Sequence, residues 1–175
     1  MAGDGAEFAR LALPHLDAAY CLARWLLRDP VAAEDVVQEA MLRALTYIGS
    51  FRGDNARAWL LRIVRTAAHD RLAATARSCE VPLVMQGDED APAVNEPADP
   101  ADDPEAALSR RQDRAALAAA LAALPVELRE CLVLRELEEM SYRDIAQVTG
   151  VPVGTVMSRL WRARQALLRG AEASA

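Results

Sequence analysis

Arg159, Arg162, Arg164 and Arg169 stand in a run from Ile145 to Ala171 that contains no acidic residue. A guanidinium presents a planar fork of donors, a shape that suits phosphate oxygens and the acceptor edges of bases. Ser158 and Gln165 add neutral hydrogen-bonding groups in the same stretch, and Trp161 adds an aromatic plane. The chemistry on offer is recognition of a polyanion. Nothing in the chain pairs a nucleophile with a base or forms a glycine-rich phosphate loop, so no catalytic site is expected. Cys21, Cys79 and Cys131 lie far apart without metal-ligand spacing, and His15 and His69 are the only histidines, so neither a metal nor a cofactor is expected. Cys21 and Cys131 sit in apolar helical contexts and read as small core residues, whereas Cys79 falls in a loop-like stretch.

The elements that must position these donors are legible on either side of Gly150. Ser141 and Asp144 have the spacing of a capping box at the start of one helix. Gly150 marks its end, and Pro152 suits the first turn of a second helix. With Ala146 at the helix contact and Val156 as the apolar anchor, the stretch reads as a helix-turn-helix, whose second helix ordinarily enters the DNA major groove. At about 100° per residue, Val156, Leu160, Ala163 and Leu167 make a buried stripe. Gly154, Ser158, Trp161, Arg162, Gln165 and Arg169 fall on the opposite side.

The net charge of −6 argues against DNA binding until its distribution is considered. Residues 78–109 hold nine acids and no base, so both flanks are mildly basic. The same segment carries Pro82, Pro92, Pro97, Pro100 and Pro104, and cannot bury enough apolar surface to offset the cost of ordering. It reads as a flexible linker spanning roughly 30 Å, with one apolar patch at Val81–Met85. The alanine-rich flanks favour helix, and the expectation is an all-α chain of two small domains with small cores. No run of 18 apolar residues is present and the N-terminus lacks a signal-peptide pattern, which points to a cytoplasmic protein without membrane insertion.

Before the linker, three helices are expected: Leu11 to Leu27, Val31 to Tyr47, and Ala56 to about Ala76. Leu13, Leu16, Tyr20 and Leu26 belong to the apolar pattern of the first, and Asp29-Pro30 ends it. The second carries Glu34, Asp35, Gln38 and Glu39 on its polar side; acids near a helix start complement the dipole, and the wider surface also suits a basic partner helix. The third, after the loop Phe51–Asn55, carries Trp59 among core-type residues. Arg52, Arg57, Arg62 and Arg65 leave open whether it is a core helix or a DNA surface. After the linker come a helix from Ala115 to Leu124 and one from Val126 to Glu138, the latter with Leu128, Cys131, Leu132, Leu134 and Leu137 as its buried set.

Four segments occur in order and spacing: AEDVVQEAMLRAL, FRGDNARAWLLRIVRT, LPVELRECLVLRELEEMSYRDIA and VPVGTVMSRLWRARQALLR. Together they resemble the extracytoplasmic-function (ECF) group of bacterial RNA polymerase sigma factors. The resemblance implies a sigma region 2-like three-helix domain over 8–77, the acidic linker over 78–109, and a sigma region 4-like helix-turn-helix domain over 110–170. It implies, as partners, core RNA polymerase through its clamp helices and flap, promoter DNA, and an anti-sigma factor. By the same likeness Asp35, Gln38, Glu39 and Leu42 would meet the polymerase. Arg52, Asn55, Arg57, Trp59, Arg62, Arg65, Thr66 and His69 would handle the −10 element, including a base drawn from the stack. Thr155, Met157, Ser158, Trp161, Arg162, Gln165 and Arg169 would meet the −35 duplex. Thr66 stands where many members of the group have Asn, and Met157 where a basic residue is common. A sigma-like decoy for an anti-sigma factor and a stand-alone helix-turn-helix repressor are the alternatives; neither would support transcription with core polymerase.

Overall fold

A computed structural model of the chain describes residues 2–53, 55–78 and 115–173. Cys79, the Val81–Met85 patch and the acidic stretch up to residue 109 lie outside the described residues. Helix α1 (Ala2–Ala12) and a 3-10 turn (Leu13–His15) lead into α2 (Leu16–Leu27), α3 (Pro30–Tyr47) and α4 (Ala56–Ser78). Helix α5 (115–123) follows, then α6 (Val126–Leu132), which runs into a π-helical turn at Val133–Leu137. Helices α7 (Tyr142–Thr149) and α8 (Val153–Ala173) complete the chain. Among the described residues no helix is long and apolar enough to cross a membrane.

Two of the expected helices depart from the sequence expectation. The first helix does not start at Leu11: Pro14 interrupts it, because proline supplies no N–H to the preceding turn. Leu13, at 53% exposure, therefore lies outside the core, and Leu16 and Tyr20 are also exposed. The helix expected over Val126–Glu138 widens into a π-helical turn, with the Glu138 N–H reaching the Val133 carbonyl at 3.1 Å. That extra residue per turn carries Leu137 out of the expected buried set, to 38% exposure, while Cys131, Leu132 and Leu134 stay inside.

The helix ends follow local chemistry. Asp29 caps α3, its Oδ1 accepting from the Val31 and Ala32 N–H groups at 2.9 and 3.2 Å, with Pro30 at the first helical position. Asn55 caps α4 by accepting the Ala58 N–H at 2.9 Å. Ser141 Oγ accepts the Asp144 N–H at 3.1 Å and donates to the Asp144 carboxylate at 2.7 Å. Gly150 ends α7 at φ +72°, in the left-handed region where a side chain is disfavoured. The Pro152 carbonyl accepts the Thr155 and Val156 N–H groups to open α8.

Small residues let the helices pack closely: Ala19, Ala23, Ala33, Ala40, Ala44, Ala58 and Ala68 are fully buried, interleaved with Leu22, Leu60, Leu61 and Val64. Burying each such leucine stabilises the fold by about 1.5–3 kcal/mol. The two modules do not keep separate cores. Their buried side chains join in one cluster, with α4 packed on α2 and α3 on one side and on α7 on the other. Arg129, buried in α6, reinforces the junction. Its Nη1 donates to the Ala122 carbonyl at 2.8 Å and its Nη2 to Leu26, at the end of α2, at 3.3 Å.

Loss of the α3 cap is expected to be measurable. Asp29→Ala should lower unfolding free energy by about 1 kcal/mol, and Asp29→Asn should retain most of it. Urea denaturation followed by circular dichroism checks both.

Candidate nucleic-acid interface

On α8 the buried stripe is as the sequence spacing predicts: Val156, Leu160 and Ala163 are buried and Leu167 is half-buried. The opposite side presents Met157 and Trp161, 53% and 64% exposed, with Ser158, Arg162 and Arg169 also exposed and Thr155 and Gln165 half-buried. Ser158 Oγ donates to the Thr155 carbonyl and Arg162 Nε to the Ser158 carbonyl, which leans both side chains along this face. The other two arginines of the acid-free run are committed elsewhere. Arg159 Nη1 donates to Glu130 at 3.2 Å and Arg164 Nη2 to Glu136 at 2.7 Å. The outer face therefore consists of two arginines, a serine and an exposed indole, a set that can contact phosphates and base edges.

The eight residues of the −10 group separate onto two edges of α4 and its loop. Trp59, Arg62 and Thr66 line a pocket of about 360 Å³, together with Arg43, Tyr47, Ser50 and Ile63. Trp59 is braced by Phe51, ring centroids 5.2 Å apart and tilted. An aromatic wall beside two guanidinium groups can hold a flat unsaturated ring next to its phosphate. Arg43, Tyr47, Ser50 and Ile63 were not anticipated. The exposed Tyr47 at the end of α3, four residues beyond Arg43, was the available signal. Arg52 is exposed on the loop at the same end.

The second edge faces the C-terminal module. Asn55 Nδ2 donates to Asp144 Oδ1 at 2.7 Å, and Arg57 forms an ion pair with Glu138. Arg65 forks onto Glu130 through Nε and Nη2 at 2.8 and 3.1 Å, and His69 Nε2 lies 2.9 Å from the same carboxylate. Glu130 is fully buried. Burial by itself would raise its carboxyl pKa, but the hydrogen bonds from His69 and Arg65 and their charge overturn that and hold it below the ordinary carboxylate value. Sequence reading gave Asp144 only a capping role and gave Glu130 and Glu138 none, because their partners in the N-terminal module are 61 to 89 residues away.

Cys21 and Cys131 are consistent with core packing. Burial, with the nearby Glu138, pushes the Cys21 thiol up to about 12; burial, with the charge of Glu130, pushes Cys131 up to about 11. Both are protonated and unreactive at neutral pH.

On α3, Asp35, Gln38, Glu39 and Leu42 are all exposed, Leu42 at 67%. Val31 and Leu45 extend the same surface. Glu39 is paired along the helix with Arg43 at 2.5 Å, and Arg43 also reaches Asp70 at 3.4 Å. A second, apolar groove of about 390 Å³ opens in the C-terminal module between Leu117, Leu121, Leu132, Val133, Leu137 and Leu167.

Residues 11–78 match the family model described as Sigma-70 region 2, and residues 114–167 the one described as Sigma-70, region 4. The chain is 37% identical over 166 residues to the RNA polymerase sigma-H factor of Pseudomonas aeruginosa, covering 94% of this chain and 86% of that one. It is 38% identical over 138 residues to the ECF RNA polymerase sigma-E factor of Escherichia coli K12, covering 76% and 70% respectively. Among solved structures it is similar to the sigma factor RpoE, co-crystallised with the anti-sigma factor NepR from Bartonella quintana. That likeness has a TM-score of 0.73 and 26% identity, over 94% of this chain and 96% of that one.

The lowered pKa of Glu130 sets a direction for acid sensitivity. Its stabilising effect is fully present above the unfolded carboxylate value and is lost as pH falls through the depressed folded value. An acid titration followed by circular dichroism should show a steep acid limb that Glu130→Gln flattens.

Proposed function

The chain belongs to the sigma-70 family, in its ECF group, and from that premise we propose how its surfaces divide the work of promoter recognition. It is an alternative sigma factor: it binds core RNA polymerase, directs it to promoters and initiates transcription as a factor rather than as an enzyme. The observation that carries the residue-level reading is the presence of two outward faces of different chemistry on opposite modules. One is the acidic and apolar stripe of α3. The other is the arginine, serine and tryptophan face of α8.

Asp35, Gln38, Glu39 and Leu42 meet the polymerase clamp helices, where carboxylates steer a basic partner and Leu42 supplies apolar contact. The apolar groove lined by Leu117, Leu121, Leu132 and Leu137 takes the polymerase flap. Trp59, Arg62 and Thr66, with Arg43 and Tyr47, form the pocket for a base drawn from the −10 strand. Arg52, Asn55, Arg57, Arg65 and His69 line the path of that strand. Thr155, Met157, Ser158, Trp161, Arg162, Gln165 and Arg169 meet the −35 duplex, with Met157 contributing apolar contact. The protein acts in the cytoplasm, and an anti-sigma factor holds it in reserve, as the NepR complex of the similar RpoE suggests. Run-off transcription with purified core polymerase tests the assignment; a decoy or a repressor would give no transcript.

Two substitution sets separate the faces. Arg162→Ala should lower promoter use and relax preference at one or two −35 positions, by about 1–3 kcal/mol of base discrimination. Arg169→Ala should weaken binding evenly across sequences, as loss of a phosphate contact does. A promoter-library assay distinguishes the two. Asp35→Lys with Leu42→Asp should weaken core polymerase binding about tenfold or more while helicity stays unchanged, whereas the α8 substitutions should leave core binding intact. Pull-down with core polymerase reads this out.

A further inference from the structure

The outer face of α8 divides into two strips. Ser158, Arg162 and Arg169, with the half-buried Gln165, make a hydrogen-bonding strip. Beside it Val153, Met157 and Trp161 stand four residues apart, 37%, 53% and 64% exposed. At about 100° per residue, steps of four advance only about 40°, so the three side chains form one apolar line beside the donors. Both strips begin in the first turns of the second helix of the helix-turn-helix, the part that reaches base edges in the major groove. Gly154 lies between them, and a Cβ built there would meet nothing within 4 Å. Glycine costs helix stability, and no described neighbour in the chain needs the space, so the missing side chain makes room for something outside the chain.

A thioether and an isopropyl group cannot donate to a phosphate or to the polar edge of a base. The apolar group that the major groove offers to such side chains is the C5-methyl of thymine. We propose that Met157 is a specificity-determining residue that reads thymine through this methyl group, with Val153 and Trp161 walling the contact. The inference rests on the reading of α8 as the −35 helix, and it names a base that this helix selects beside its arginine contacts. Met157 and Arg162 are separated by about 7.5 Å along the helix axis, against roughly 3.4 Å between base pairs, so the two side chains reach different pairs. Leu168 is exposed on the same flank, 58%, but lies roughly 16 Å beyond Met157, past the part of the helix that enters the groove.

The test uses holoenzyme assembled from the full chain and purified core polymerase. A promoter library first locates the −35 positions at which the wild type selects thymine. Deoxyuridine then replaces thymine at those positions, which keeps every hydrogen-bonding group and removes only the methyl. Open-complex formation is measured on both templates. The wild type is expected to lose about threefold to fivefold on the deoxyuridine template, the worth of one buried methyl group. Met157→Gln, similar in length but polar at its end, should use the two templates equally, and Leu168→Gln should keep the wild-type ratio. Absence of any thymine preference, equal use of both templates by the wild type, or a wild-type ratio in Met157→Gln would each overturn the proposal. So would loss of core polymerase binding by Met157→Gln, which assigns the apolar strip to a protein contact. If Arg162→Ala relaxes −35 preference in any of those cases, the −35 reading stands and this inference alone falls. If neither substitution alters −35 preference, that reading falls with it.

Discussion

A fully buried carboxylate needs cations and hydrogen-bond donors around it to stay charged, and Glu130 finds two arginines and a histidine drawn from both halves of the chain. Arg159 comes from α8, while Arg65 and His69 come from α4. The demand for neutralisation thus ties the helix-turn-helix to the N-terminal module and fixes which faces of α4 and α8 turn inward. Arg159 flanks the buried stripe, three residues from Val156, and is held there by Glu130, while Arg162 and Arg169 stay on the exposed side. Arg129, the neighbouring residue, adds a second link by donating to carbonyls at the ends of α5 and α2, where helix C-termini carry partial negative charge.

The same arrangement gives α4 three roles. Its apolar face, through Leu60, Leu61, Val64 and Ala68, fills the core of the N-terminal module. Arg62 and Thr66, with Trp59, form the outer pocket, and Arg57, Arg65 and His69 make the inner contact. One turn of helix separates a residue able to grip a nucleic acid from one engaged by the protein's own carboxylates. The proposed −10 group is thereby divided between an outer pocket and an inner contact.

Local signals are strong where a feature depends on neighbours in sequence. Asp29-Pro30, Ser141 with Asp144, Gly150 and Pro152 set helix ends through bonds within a few residues, and the stripe from Val156 to Leu167 follows from helical period alone. The outward placement of Ser158, Trp161 and Arg162 came from such patterns, while the family resemblance rested on four motifs in order and spacing. Pro14 is an equally local signal, and it interrupts the first helix against the apolar period around it. The π-helical turn that exposes Leu137 had no comparable marker.

The sequence by itself determined most of the helices, the helix-turn-helix and the outer face of α8, because periodicity, capping and turn chemistry act over short distances, and its four ordered motifs carried the family resemblance. Only the tertiary structure decided that the two cores merge, that Glu130 gathers two arginines and a histidine, and that half of the proposed −10 group faces another part of the same chain. Those outcomes depend on pairings between residues as much as 103 positions apart. A charged side chain carries no local mark of whether its partner will be solvent, DNA or a carboxylate from a distant helix.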